Sequence, residues 1–208
     1  MAADFPSPVT SAAELDEVYG PPMGAAVEKT VDRLDEHCRA FIERSPFVAV
    51  GASGGGLVDV SPRGGPAGFV RVLDEHRLLI PDATGNKRLD VLHRIVEDGR
   101  VGLLFLIPGV AETLRVRGRA CITRDAALLD GLETGGAPAQ LGIGVVVEEA
   151  YLHCAKAFMR SGLWQPERWP DTTGLASPAR IWADHVALEG LDEGAVQAFL
   201  DEDYATGL

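Results

Sequence analysis

The feature that most constrains the fold of this chain is a succession of short β-like runs between residues 47 and 147, separated by glycine and proline turns. Two predicted hairpins come first: Phe47–Val50 with Leu57–Val60 around the turn Ser53–Gly56, and Phe69–Leu73 with Arg77–Ile80. Three further runs follow: Val101–Ile107, Thr113–Thr123 and Leu141–Val147. Since few helices interrupt these runs, we expect an antiparallel barrel or sandwich of about six strands rather than a doubly wound parallel sheet.

The run Thr113–Thr123 alternates between apolar and basic residues. Its apolar side carries Leu114, Val116, Gly118, Ala120 and Ile122, and its basic side carries Arg115, Arg117 and Arg119. Side chains alternate between the two faces of a strand, so this pattern predicts a half-exposed strand with a basic outer face. That face could line a ligand groove, although a solvated strand face is the plainer interpretation.

Helical patterns surround the strands. Apolar residues recur at helical spacing from Val27 to Ile42, and the Ser45-Pro46 step ends that helix. Further helices are expected after a capping box of Ser11 and Glu14, and at Asn86–Asp98, Ala126–Leu132, Glu148–Gly162 and Asp192–Tyr204. We therefore expect an N-terminal arm (1–26), a strand-rich domain (27–164), and a C-terminal loop and helix (165–208) packed on that domain.

Composition narrows the functional class. The net charge of −12 argues against nucleic-acid binding, although a local basic cluster can still hold a phosphate. The longest apolar run is far too short to span a membrane, and the N-terminal residues lack the pattern of a signal peptide. Three cysteines without metal-ligand spacing predict neither a zinc site nor a disulfide framework. We expect a cytoplasmic protein with reduced thiols.

Two loops are candidates for binding an anion. The segment 61–68 combines glycines and prolines with Arg63, which suits a phosphate, although an ordinary surface turn would look the same. The segment 80–88 places Lys87 and Arg88 in the first turn of a helix predicted to begin near Asn86. Cations at that position oppose the helix dipole unless an anion is bound there. A solvated basic pair is the alternative.

The segment 153–164 gives a weaker signal. His153, Lys156 and Arg160 would share one stripe of the predicted helix. A structural histidine is the preferred interpretation of His153, since no second metal ligand has a fitting spacing, and Cys154 lacks an evident base partner. The serine-hydrolase, P-loop and Rossmann patterns are absent from the sequence.

Taken in order, several segments resemble the pyridoxamine 5′-phosphate oxidase-like flavoproteins, the FMN-binding split barrels. The matching segments are FIERSPFVAVGAS, LVDVSPRGGPAGFVRVLDE, LLIPDATGNKRLDVLHRIVEDGRVGLLFLIPG, ETLRVRGRACI and HCAKAFMRSGLW. They run from Phe41 to Trp164. The resemblance implies a mainly β, α+β fold: a six-stranded antiparallel split barrel with peripheral helices, forming a homodimer with the cofactor at the subunit interface.

The resemblance also implies which residues contact FMN. The family places a polar and basic trio against the phosphate, at the positions of Asn86, Lys87 and Arg88. The full set of expected cofactor contacts is Ser61, Arg63, Gly64, Pro81, Asp82, Asn86, Lys87, Arg88, Thr113, Arg115, Lys156, Arg160 and Trp164. No side chain is expected to act as a catalytic acid or base, because the flavin supplies the redox chemistry.

The implied activity is FMN-dependent electron or hydride transfer with a small-molecule substrate. A non-catalytic protein of the same fold that binds a flavin, the deazaflavin F420 or haem is the alternative. One departure from the family concerns the substrate: the vitamin B6 enzyme has an arginine-rich C-terminal segment, whereas the tail from Leu191 to Asp203 is acidic here. Oxidation of pyridoxamine phosphate itself is therefore not expected.

Overall fold

A computed structural model describes residues 5–207 apart from Thr84, Asn86 and Ala187. Its strands are β1 (Phe47–Gly54), β2 (Leu57–Gly64), β3 (Arg71–Val72), β4 (Arg77–Asp82), β5 (Arg100–Leu106), β6 (Thr113–Thr123), β7 (Glu133–Thr134), β8 (Ala137–Pro138) and β9 (Leu141–His153). Its helices are α1 (Ala12–Tyr19), α2 (Gly24–Glu28), α3 (Glu36–Ile42), α4 (Asp90–Glu97), α5 (Ala126–Leu129), α6 (Lys156–Ser161), α7 (Pro178–Val186) and α8 (Glu193–Gly207).

One antiparallel sheet of seven strands dominates the fold, in the order β2-β1-β5-β6-β9-β4-β3. The antiparallel pairing and both predicted hairpins are confirmed. The sheet has seven strands where about six were expected, since all seven predicted runs, including the edge strand β3 within Phe69–Leu73, join one sheet. Strands β7 and β8 form a separate small hairpin.

The hydrophobic core lies against one face of this sheet. Apolar residues at alternate positions of β1, β5 and β6 are fully buried there: Val48, Val50, Leu103, Phe105, Leu114 and Val116. Helix α4 covers this inner face with Val91, Leu92 and Ile95. Its close approach requires a glycine, since a Cβ at Gly54 would lie 2.6 Å from the carbonyl oxygen of Arg94.

A β-bulge interrupts the register between β6 and β9 at Arg117 and Gly118. At the bulge the backbone of β9 lies so close to β6 that a Cβ at Gly118 would collide with the carbonyl oxygen of Val146. Bulges increase the local twist of a sheet, which suits a sheet that curves around its core. Gly118 is therefore needed for the close approach of β6 and β9 rather than for a turn.

Four predicted helices were wrong in their extent, and two of them are only shorter: α4 begins at Asp90 and α5 ends at Leu129. The helix expected from Val27 to Ile42 is broken into α2 and α3, because the backbone of Val31 pairs with Ala150 and Asp35 starts a new helix. Strand β9 continues to His153, where a helix from Glu148 was expected. Pairing of β9 with the full length of β6 outweighs the local helical pattern there.

The terminal segments contain confirmed helices. The capping box holds at α1, where the backbone N–H of Glu14 donates to Ser11 and the Ser11 hydroxyl donates to the Glu14 carboxylate. Helices α7 and α8 pack on each other through Ala179, Val196 and Leu200. Over the described ranges, the helices are too short or too polar to cross a membrane.

Candidate functional site

The outer face of the sheet, opposite the core, carries small and basic residues. A row of directly paired residues crosses five strands there: Val60, Gly51, Gly102, Arg117 and Glu149. Gly51 and Gly102 are cross-strand partners, and a Cβ built on Gly102 would project into open space. Glycine inside a strand weakens it and commonly marks a place where a ligand or another backbone approaches closely.

One end of this face is an apolar cavity of about 410 Å³. Besides the two glycines, its lining includes Val60, Leu104, Thr113, His153, Cys154 and Phe158. Thr113 and His153 are paired residues of β6 and β9. The volume lies in the range of small-molecule sites, which are mostly apolar with a few polar groups. We call this cavity the apolar end.

The other end is a cavity of about 490 Å³ that we call the arginine end. Its charged lining consists of Arg100, Arg115, Arg117, Arg119 and Glu148. The two cavities share Gly51, Gly102 and Arg115, so they form one continuous groove. The basic outer face predicted for residues 113–123 is confirmed, and it lines a cavity rather than a featureless surface.

The arginines of the groove differ in their partners. Arg117 pairs with Glu149 at 2.6 Å, and Arg100 and Arg119 share Asp98 at 3.4 and 3.9 Å. Arg119 also lies 3.9 Å from Glu148. Arg115 instead donates to the hydroxyl of Tyr151 at 2.9 Å and lies over the Tyr151 ring. Among the described residues, no carboxylate lies within 4.0 Å of the Arg115 guanidinium.

A second group of predicted site residues lies at the far ends of β2 and β4. The Arg63 Nε donates to Asp82 Oδ1 at 2.8 Å, and only 19% and 7% of the two side chains remain exposed. This ion pair joins β2, at one edge of the sheet, to β4 near the other. We call this region, with Ser61, Gly64, Pro81, Lys87 and Arg88, the ion-pair end.

The helix boundary predicted near Asn86 was wrong. Helix α4 begins at Asp90, so Lys87 and Arg88 precede it instead of lying in its first turn. Lys87 has a φ of 62°, which is incompatible with a right-handed helix, and the acidic Asp90 takes the first-turn position that the dipole favours. Arg88 pairs with Asp90. Asn86 lies outside the described residues. Lys87 is exposed.

The segment 61–68 also differs from the expected loop, because residues 61–64 belong to β2. Ser61 pairs with Val50 and Gly64 with Phe47. Alternate backbone groups of this part are thus engaged with β1, and Pro62 is tolerated because β2 is an edge strand. Arg63 was expected to bind an anion, but its guanidinium already donates to the Asp82 carboxylate.

The remaining predicted contacts lie beside the apolar end. Trp164 stacks on Phe158 with ring centroids 5.7 Å apart, and its indole N–H donates to the carbonyl of Val110. Lys156 and Arg160 are exposed on α6. His153 ends β9 and does not share a helical stripe with them, which corrects the sequence interpretation. The structure thus divides the predicted contacts between the ion-pair end and the groove.

A comparison with known families identifies the chain. The sequence model of the pyridoxamine 5′-phosphate oxidase family matches residues 34–154, more than half of the chain. The chain belongs to this family. The match begins at Leu34, just ahead of α3, and ends at Cys154, one residue past β9, so it spans the whole seven-strand sheet.

Solved structures give weaker likenesses. A candidate pyridoxamine 5′-phosphate oxidase of Lactobacillus delbrueckii is 20% identical with a TM-score of 0.43, over 58% of this chain and 95% of that one. General stress protein 26 of Bacillus anthracis is 12% identical with a TM-score of 0.41, over 55% and 88%. An FAD-binding protein of Mycobacterium smegmatis is 14% identical with a TM-score of 0.38, over 60% and 99%. No curated protein matches the chain.

Sequence reasoning missed several groove residues of this oxidase-family chain. Gly51, Gly102, Leu104 and Phe158 were not singled out, although Gly102 stands inside an otherwise apolar strand. That interruption was a usable signal, because glycine is disfavoured within strands. Of the three thiols, Cys38 is buried, which raises its pKa to about 11, and it stays a protonated core residue. The exposed Cys154 lines the apolar end.

Proposed function

We propose that the chain is a flavin-dependent oxidoreductase that binds FMN in a homodimer. The observation that carries the proposal is the apolar end, a cavity of about 410 Å³ floored by paired glycines and bordered by the Arg115 guanidinium. Membership of the pyridoxamine 5′-phosphate oxidase family supports a flavin as the occupant.

The residues present fit a flat, apolar ring system. Gly51 and Gly102 leave the sheet surface free of side chains, and a Cβ added at Gly102 would take up part of the space. Leu104 and Phe158 would exclude water from one side of the ring. Thr113 and Arg115 offer polar contacts at its rim. The bound flavin would supply the electron or hydride transfer, and the protein would supply binding and orientation.

The phosphate is proposed to lie at the ion-pair end, where the family resemblance assigns Asn86, Lys87 and Arg88. Lys87 is exposed and precedes α4, so its ammonium group is accessible to an anion. The partly buried Arg63 would add positive charge, reduced by its bond to Asp82. This assignment rests on the resemblance and on local charge rather than on the helix dipole.

The division of these contacts supports the proposed homodimer. Of the residues that the structure describes, none from the ion-pair end lines the cavity that contains Thr113 and Arg115. A two-fold contact uses the same surface on both copies, so it can set the ion-pair end of one copy against the groove of the other. We also propose that the sheet is the split barrel typical of the family, which the Arg63–Asp82 pair between β2 and β4 supports.

We nominate no side chain as a catalytic acid or base. His153 is the imidazole that lines the apolar end, where it pairs in register with Thr113. That position favours a second candidate function, the binding of haem, because histidine is a common iron ligand. The proposed compartment is the cytoplasm, which suits three free thiols.

The absorbance spectrum of the purified protein tests the proposal. We expect the bands of oxidised flavin, release of a chromophore with the mass of FMN upon denaturation, and a dimer by light scattering. A released chromophore with the mass of F420 would identify F420 rather than FMN as the cofactor. A Soret band would favour haem and make His153→Ala the next variant. A protein that stays colourless after incubation with FMN, or that is a monomer when loaded, would contradict the proposal.

A further inference from the structure

We propose that the N-terminal arm of a second copy of this chain docks through helix α1 into an apolar cleft on the outer face of the sheet, beside Cys121. The inference names an interaction surface and requires no cofactor. It rests on the proposed function in one respect, the homodimer, since the arm of each copy would lie on its partner.

Helix α1 exposes an apolar face. Leu15, Val18 and Tyr19 lie on one side of the helix, at the spacing of one turn, and all three are exposed. Within the part of the chain that the structure describes, no residue of α1 is buried. An isolated helix of this length is marginal in water, because most helical stability comes from packing of an apolar face. We therefore expect α1 to pack on a surface outside its own chain.

The proposed partner surface is a cavity that we call the Cys121 cleft, where β6, β9 and β4 lie side by side. Its volume is about 310 Å³. Arg119, Val146 and Arg77 are directly paired across the three strands, so that the exposed, apolar Val146 lies between two arginines. Arg119 also lines the arginine end, and the two cavities have no other described residue in common. The Cys121 cleft is thus distinct from the apolar end to which the flavin is assigned.

The floor of the cleft is a glycine. Two residues further along each strand, Gly144 of β9 stands between Cys121 of β6 and Leu79 of β4. A Cβ at Gly144 would lie 3.6 Å from the Cys121 sulfur, so the glycine leaves open the space beside the thiol. Leu73 and Leu128 add to the apolar lining. The cleft is therefore apolar along its floor and basic at the neighbouring row of paired residues.

The width of the cleft fits one helix. Neighbouring strands lie about 4.8 Å apart, so β6 and β4, on either side of β9, are about 10 Å apart. An α-helix with its side chains has a diameter of about 10–12 Å. A helix that lies along β9 would therefore contact the side chains of both flanking strands.

The charges of the arm complement those of the cleft. The arm contains four acidic residues and no lysine or arginine. On α1, Glu14 and Asp16 lie on either side of the apolar face, as the two arginines lie on either side of Val146. Among the described residues, Arg119 has no carboxylate closer than 3.9 Å. An arm carboxylate would give this guanidinium a closer partner.

The arm is assigned to a second copy because its own copy does not fill the cleft. No described residue of the arm lines the Cys121 cleft. Val31, which follows the arm, is held by two backbone hydrogen bonds to Ala150 of β9. A two-fold dimer permits a reciprocal exchange of arms, in which the same contact forms twice.

Disulfide formation tests the contact, with the native Cys121 as the reporter. Val18→Cys places a thiol on the apolar face of α1, and oxidation with diamide should link it to Cys121 of the partner subunit. We expect a band of twice the chain mass on a non-reducing gel and a disulfide between positions 18 and 121 by peptide mass. Glu17→Cys is the matched control, because position 17 lies on the opposite side of α1, and it should give no such link.

Three outcomes of this experiment would overturn the inference. They are the absence of a link in Val18→Cys, a link within one chain, and equal linking in Glu17→Cys. Combining Val18→Cys with Cys121→Ser should abolish the dimer band, and a band that persists would show that another cysteine forms the link.

A second measurement needs no added thiol. Cys121 is exposed in the single chain, so only a contact with another copy would protect it from alkylation. Iodoacetamide should modify Cys121 at least roughly 10-fold faster in Val18→Asp than in the native protein, because the new carboxylate opposes burial of the arm. The exposed Cys154 in the same sample is the reference, and Glu17→Asn should not change the ratio. Equal ratios in native protein and Val18→Asp would overturn the inference.

Absorbance and light scattering on the same samples separate this inference from the proposed function. A flavin-loaded dimer that forms no link through Val18→Cys would keep the proposed function and overturn the arm contact. A colourless dimer that forms the link would do the reverse. Thermal melting should show that Val18→Asp leaves the sheet folded, since Val18 is exposed in the single chain.

Discussion

The two faces of strands β1 and β5 are built from alternate residues of the same few segments, yet they obey different rules. On the inner face, Val48 faces Phe105 and Val50 faces Leu103, and all four side chains are essentially inaccessible to water. On the outer face, the corresponding pairs are Ala49 with Leu104 and Gly51 with Gly102. The inner positions fill volume, whereas the outer positions leave it empty.

This difference distinguishes the residues that stabilise the fold from the residues that can bind a ligand. A buried β-branched or aromatic residue contributes to stability through its contacts, and any reduction in its size is costly. A glycine in mid-strand contributes nothing of that kind and lowers β propensity. Substitutions on the inner face should therefore change stability, and substitutions on the outer face should change ligand binding.

The largest expected effect is on the inner face, at Phe105. Phe105→Ala should lower the free energy of unfolding by about 3–5 kcal/mol, because it leaves a large cavity in the core. Leu104→Ala, one residue away on the outer face, should cost about 1 kcal/mol or less. Chemical denaturation measures both free energies of unfolding. Similar losses for the two variants would show that the two faces do not differ in their contribution to stability.

The next effect concerns the ion-pair end, where the two edges of the sheet meet. Asp82→Asn should cost about 3 kcal/mol, since it leaves the mostly buried Arg63 without its carboxylate. Asp184→Asn removes a carboxylate from the solvent-exposed pair with Arg180 and should cause no resolvable loss. If both variants unfold at the same denaturant concentration as the native protein, the Arg63–Asp82 pair does not hold the sheet together.

A smaller effect is expected at Gly102 in the groove, where a substitution should change ligand binding rather than lower stability. Gly102→Val should leave stability unchanged or raise it by up to about 1 kcal/mol, because valine favours strands and its Cβ meets open space. The same variant should weaken FMN binding at least roughly 10-fold, about 1.4 kcal/mol, by filling the groove. The affinity of Gly102→Ala for the ligand should lie between those of the native protein and Gly102→Val. Binding that survives valine would show that the groove is not the site.

The smallest effect lies away from both faces, at the start of α3. The backbone N–H of Cys38 donates to the Asp35 carboxylate, which lowers the pKa of Asp35. Asp35→Ala should cost about 1 kcal/mol at neutral pH, as is typical for loss of an N-cap. A carboxyl with a lowered pKa stabilises the folded state above its ordinary pKa of about 3.9, and this contribution is lost as pH falls below that value.

Denaturation at pH 7 and at about pH 3 checks this dependence. The difference between native protein and Asp35→Ala should shrink at the lower pH. Asp32→Ala removes an exposed carboxylate three residues earlier and serves as the control, with no comparable dependence expected. A penalty for Asp35→Ala that is independent of pH would show that the side chain acts through packing rather than through its charge.

Much of the sheet could be predicted from the sequence, because alternation is a local property. The basic and apolar sides of residues 113–123 and both hairpins follow from side-chain period and turn residues. The limits of the helices could not be predicted. Residues 148–153 have a helical pattern but are held in β9 by pairing with β6, and the backbone of Lys87 delays the start of α4.

The candidate site was predictable only in part, for a similar reason. Arg115 and Thr113 were expected to contact a cofactor from the family resemblance, and they do line one cavity. The partners that complete the cavity lie on β1, β5 and α6, and their alignment with β6 depends on register. No spacing in the sequence encodes that Gly51 stands opposite Gly102.

The strand order has a consequence for synthesis on the ribosome. Strand β4 is made before β5 and β6, but its long partner β9 is made about 60 residues later. At about 5–20 residues per second, the fully apolar Leu78, Leu79 and Ile80 wait several seconds with only the two-residue β3 beside them. The apolar side chains of this nascent segment therefore stay unpaired during translation, and slow translation through residues 83–140 would prolong their exposure.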